Sequence, residues 1–149
     1  MSINLIFLDY DDTLFPTTII KNNYDQTNII DFGDLDKQIC AILDKILCLS
    51  KCCILTNAST MWYTKTINTY MPNTAKYINN SEICFISARD LYEKHFDSPV
   101  LWKVYAMDTY IKNNYETKTK INNLISIGES HIDKQAFYML DLEGYDVTN

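Results

Sequence analysis

The residues Asp9-Tyr10-Asp11-Asp12-Thr13 follow directly on an apolar run from Ile3 to Leu8. In extended chain, side chains two apart lean to the same side, so Asp9 and Asp11 form a pair while Asp12 points elsewhere. Paired carboxylates of this kind suit phosphoryl transfer through a covalent aspartyl-phosphate. A carboxylate cannot attack a phosphate dianion unless charge is neutralised, which calls for Mg²⁺ held by oxygen ligands. Asp9 can serve as nucleophile and metal ligand together. Asp11 is placed to protonate the departing oxygen, and later to deprotonate the water that hydrolyses the intermediate.

Further residues of the required types stand at the ends of other apolar runs. Thr56-Asn57 closes Cys52-Cys53-Ile54-Leu55 and offers a hydroxyl and a backbone N–H to phosphoryl oxygens. Arg89 follows Ile83 to Ile86, and Glu129 with Asp133 follows Leu124 to Ile127. Lys103 lies one turn inside the segment that feeds this last run, and its compact positive charge suits an anionic intermediate. Glu129 and Asp133 would complete an acidic cup for the metal.

The elements that must position these residues alternate. Short continuous apolar runs closed by turn formers read as buried parallel strands. Between the first two, Phe15 to Asp34 is polar and irregular and suits a short hairpin. Asp34 can cap a helix whose apolar positions Leu35, Ile39, Ile42, Leu43, Ile46 and Leu47 keep 3.6-residue spacing. Ser59 or Thr60 starts a second helix, which Pro72 ends. Ser98 with Pro99 is an N-cap followed by an N1 proline, opening a helix along Val100, Val104, Met107 and Ile111. A last helix runs through Ile132, Ala136 and Leu140, before Gly144. The pattern predicts a single three-layer, Rossmann-like α/β domain with a parallel sheet of four strands, or five, between helix layers. Ligands of such sheets sit beyond the carboxyl ends of the strands.

Taken in order, these pieces resemble the haloacid dehalogenase-like (HAD) phosphohydrolase superfamily. Its first motif, an apolar strand followed by DxDxT, matches Asp9, Asp11 and Thr13. Its second, a strand ending in Thr or Ser, matches Thr56, and its lysine matches Lys103. Its acidic pair, commonly GDxxxD, matches Gly128-Glu129-Ser130-His131-Ile132-Asp133, with Glu129 where Asp is usual. The resemblance spans Ile3 to about Leu140. It implies a Mg²⁺-dependent phosphatase with Asp9, Asp11, Thr56 and Lys103 catalytic. Thr13, Asn57 and Arg89 would touch substrate, and Asp9, Asp11, Glu129 and Asp133 would hold the metal. Members often carry a cap domain; Leu14 to Lys51 holds one clear helix and Asn57 to Trp102 is consumed by core elements, so this chain is expected to be capless. A capless site is open and suits a phosphate on a large or macromolecular substrate. Two departures from the family, Glu129 and a chain end where a fifth strand is usual, motivate an alternative: a HAD-fold binding or regulatory protein that has lost turnover.

Composition bounds the rest. The 149 residues are one domain's worth. A 47% apolar and 21% charged balance is that of a folded globule. Thirteen Lys and Arg against nineteen Asp and Glu give a net charge of −6, and Arg89 is the single arginine. That balance disfavours duplex nucleic acid and anionic membranes as partners. It also argues against a nuclease built on the same carboxylates. A receiver-like phosphoacceptor would need its Asp at the end of a middle strand, where this chain has Thr56. Five cysteines without a CxxC pair read as reduced core residues. No apolar run approaches a membrane span, and Asp9 arrives too early for a signal peptide, so the expected compartment is the cytoplasm. Trp62 and Trp102 read as packing residues under the strand-end loops.

Overall fold

The computed structural model describes residues 2–23, 30–116, 120–143 and 145–147. Five parallel strands form one sheet: β1 (Ser2–Leu8), β2 (Lys51–Thr56), β3 (Cys84–Ser87), β4 (Lys120–Ile127) and β5 (Asp146–Val147). Their spatial order is β3-β2-β1-β4-β5. The sheet is parallel because each strand returns through helices: α1 (Thr17–Asn22) and α2 (Gly33–Leu49), then α3 (Thr60–Tyr70) and α4 (Pro72–Asn79). After β3 come α5 (Ala88–Tyr92) and α6 (Pro99–Asn114), and after β4 comes α7 (His131–Tyr138).

Period-two alternation sends successive strand side chains to opposite helix layers. Leu8, Cys52 and Ile54 pack against Ile39 and Leu43 of α2, Ile67 of α3 and Ile78 of α4. Leu5, Phe7, Cys53 and Leu55 pack on the other face against Ala106, Met107 and Ile111 of α6 and Ala136 of α7. Neighbouring Cys52 and Cys53 thus fill different cores, and all five cysteines are free thiols. Buried Asp36 joins α2 to α4, accepting hydrogen bonds from the backbone N–H groups of Asn73 and Thr74 and from the Thr74 hydroxyl.

Several local expectations are corrected. The Phe15 to Asp34 stretch does not open as a hairpin: Thr17–Asn22 is helical, while residues 24–29, like Gly144, lie outside the described residues. Helix α2 starts at Gly33 with Phe32 at its N-cap, and Asp34 sits in the first turn. Pro72 does not simply end α3 but opens α4 at its N1 position, where a missing N–H costs nothing. The last helix ends at Tyr138, short of Leu140. Of the four or five strands that the sequence allows, the described residues show five, the last a two-residue β5 paired to Lys120 and Ile121. Ser59 and Ser98 cap α3 and α6 as the sequence predicts, accepting from the N–H groups of Trp62 and Leu101.

Candidate active site

Strand order reverses between β1 and β4, since β1 continues into β2 on one side and β4 joins from the other. Crevices beyond the carboxyl ends at such a reversal are where open α/β sheets bind ligands. Leu8 stands level with Ile127 and Ile54, and the Asp9 N–H donates to the Ile127 carbonyl at 2.9 Å. The strand-end residues are thereby brought to one height.

At this reversal Lys103 bridges two carboxylates. Its Nζ lies 2.9 Å from Asp9 Oδ1 and also donates to Asp133 Oδ1. All three side chains are buried, with residue exposures of 8% for Asp9, 4% for Lys103 and 7% for Asp133. They come from the end of β1, the second turn of α6 and the first turn of α7. Burying one amine between two carboxylates leaves a net negative charge away from water, an arrangement expensive for stability alone. Burial pushes the Asp9 carboxyl up to about 6; the Lys103 charge opposes this and the Asp133 charge adds to it.

Asp133 is aimed from its other side. Its Oδ2 accepts from the Ser130 backbone N–H at 3.3 Å and the Ser130 hydroxyl at 3.0 Å. Gly128 makes room: a Cβ there would stand 2.8 Å from Asp133 Cβ and closer still to the carboxyl. Only a residue without a side chain lets the carboxylate lie across the end of β4.

The loop after β1 separates the remaining acids. The Tyr10 carbonyl accepts from the N–H groups of Thr13, Leu14 and Phe15, at 3.3, 3.0 and 3.0 Å. Asp12 takes φ 54°, a left-handed conformation that Asp tolerates better than most residues. That turn sends the Asp12 carboxylate to the N–H and hydroxyl of Thr18. Asp11 faces another way, and its Oδ1 accepts from the Thr17 hydroxyl and from Trp62 Nε1, the latter at 3.1 Å. Asp11 therefore does not join the Lys103 ion pair.

Thr56 is wholly buried, and its oxygen accepts from the Ala58 N–H at 3.0 Å, which leaves its own proton to donate. Two buried polar atoms nearby have no hydrogen-bond partner among the described residues, Thr13 Oγ1 and Asn57 Oδ1. Buried polar groups are normally satisfied, so each of these two has hydrogen-bonding capacity left unused. Asn57 is held by its amide, which donates to the Pro99 carbonyl at 3.0 Å. Arg89 is exposed, bonded to Glu93 at 3.2 Å, and its guanidinium lies 5.8 Å from the Trp102 ring centre. Glu129 is exposed and accepts no hydrogen bond among the described residues.

The carboxylates of Asp9, Asp11, Glu129 and Asp133 are hard oxygen donors, the chemistry Mg²⁺ selects. Among the described residues, however, no three His, Cys, Asp or Glu side chains are gathered as a metal-binding group. Asp9 and Asp133 converge on the lysine, Asp11 is held by Trp62 and Thr17, and Glu129 extends into solvent. A groove of about 950 Å³ lies at the opposite, amino end of the sheet, lined by Ser2, Asn4, Lys51 and Tyr77, and contains none of these residues.

Sequence reasoning missed two contributors, Trp62 as a hydrogen-bond donor to Asp11 and Gly128 as the space for Asp133. The available signals were Trp62's place in the first turn after a strand-end cap, and a glycine five residues before an acid. Among the described residues no helix is long and apolar enough to cross a membrane. Neither a protein-family model, nor a curated protein, nor a solved structure matches the chain.

Proposed function

We propose that this protein is a Mg²⁺-dependent phosphohydrolase of the HAD type, working through an aspartyl-phosphate on Asp9. One observation carries the reading: Lys103 bridges buried Asp9 and Asp133 at the strand-order reversal, where a reacting carboxylate and its counter-charge are needed. Asp9 attacks phosphorus, and Asp11 gives its proton to the departing oxygen. Water then attacks the phospho-Asp9, losing its proton to Asp11. Lys103 balances the added negative charge, and the Thr56 and Thr13 hydroxyls donate to phosphoryl oxygens. Asn57 Oδ1, an acceptor, suits an O–H or N–H of the substrate body rather than its phosphate. Mg²⁺, for which Asp9, Asp11, Glu129 and Asp133 are the oxygen donors on offer although they are not gathered as one group among the described residues, would supply the charge that lets a carboxylate approach a phosphate dianion. The helices between β2 and β3 pack into the core, which supports a capless, open site for a phosphate carried on a large molecule.

Glu129, exposed and without a hydrogen-bond partner among the described residues, favours one rival, a HAD-fold binding or regulatory protein without turnover. A generic phosphatase assay with and without Mg²⁺, together with mass spectrometry of the protein, separates the two. The expected result is hydrolysis that EDTA abolishes and acid-labile phosphate on Asp9, enriched in Asp11→Asn. Full activity in excess chelator or in Asp9→Asn would overturn the mechanism.

A further inference from the structure

The geometry points to Trp62 as a positioning residue for Asp11, an inference that rests on the phosphohydrolase reading above. Both donors to Asp11, the Trp62 indole and the Thr17 hydroxyl, reach the same oxygen, Oδ1. Oδ2 takes no hydrogen bond from the described residues, so it is the oxygen left to exchange a proton with leaving group or water. A carboxylate rotates easily about its terminal torsion, whose energy profile is broad. Two donors on one oxygen remove that freedom and fix which lone pairs face the reaction.

Trp62 is itself held rigidly enough for the task. Its backbone N–H donates to the Ser59 cap at 3.1 Å, and its carbonyl accepts from the Thr66 hydroxyl at 2.8 Å. Thr66 in turn meets the hydroxyl of Tyr10, one residue from Asp11, at 2.8 Å. The Lys21 ammonium sits 5.2 Å from the centre of the Trp62 ring. The indole thus ties the loop after β1 to α3 on one side and to α1 on the other.

Two measurements test this. The chain has two tryptophans, and the Trp102 indole donates to a backbone carbonyl, that of Phe96, at 2.6 Å. In ¹H–¹⁵N spectra, Asp11→Asn should move the indole signal that Trp62→Phe deletes and leave the other in place. An unmoved signal overturns the contact. In kinetics, Trp62→Phe keeps a ring under Lys21 but loses the donor. It should lower kcat at least tenfold, within the roughly 10²-fold that a misplaced group costs, with KM unchanged and phospho-Asp9 accumulating. Thr17→Val should act in the same direction, and Thr17→Ser should restore the rate. An active wild type whose Trp62→Phe variant keeps kcat within twofold refutes the positioning role. An inactive wild type refutes the phosphohydrolase reading instead, and the indole signal still decides whether Trp62 holds Asp11.

Discussion

Replacing Asp9 by Asn should change how stability depends on pH, and the sign separates two opposing forces at the site. Burial raises the Asp9 carboxyl from its ordinary 3.8 to about 6, against the pull of Lys103. A raised value in the folded state means that folded protein holds this proton more tightly than unfolded chain. Asp9 therefore contributes its full stability below about pH 4, and loses it as pH rises through about 6. The interval is roughly two pH units at about 1.4 kcal/mol each, so about 3 kcal/mol is at stake. Asp9 is only 8% exposed, so solvent screening removes little of this. Urea unfolding of wild type and Asp9→Asn, in EDTA, from pH 4 to pH 7.5, measures it directly. The stability of wild type relative to the variant should fall by about 3 kcal/mol across that range. A flat difference would show that the Lys103 ion pair cancels burial, and one that grows with pH that it outweighs burial; either would refute the reasoning.

Removing the amine should be the more damaging change. Lys103→Met leaves Asp9 and Asp133 buried without a counter-charge, and is expected to cost about 3–5 kcal/mol at pH 7. The loss should shrink on acidification as Asp9, whose carboxyl burial already raises to about 6, takes up a proton; equilibrium unfolding at pH 7 and pH 4.5 checks both statements, and an equal loss at both would contradict them. Gly128→Ala drives a methyl group into Asp133. Activity should fall by about 10²-fold as Asp133 is pushed off Lys103, with a measurable drop in thermal stability; wild-type rates in this variant would show that the carboxylate does not need that space.

The sequence by itself determined those features that neighbouring residues decide. Short apolar runs are closed by turn formers at Asp9, Asn57 and Gly128, so these strand ends were legible, and with them the candidate residues beside them. Ser59 and Ser98-Pro99 marked helix starts because a hydroxyl cap and an N1 proline satisfy the first turn locally. Where local signals competed, the reading failed: Phe15 to Asp34 has weak patterning, and α1 forms where the Asp12 and Asp11 carboxylates take the N–H and hydroxyl of Thr18 and the hydroxyl of Thr17. Tertiary structure alone decided which strands adjoin, and so placed β4 and its edge strand beside β1 rather than beside β3. It also decided partners. Lys103 meets carboxylates 94 and 30 residues away, and Trp62 meets one 51 residues away. No residue spacing encodes such pairs, because they arise only when helices and strand ends far apart in the chain meet at the same end of one sheet.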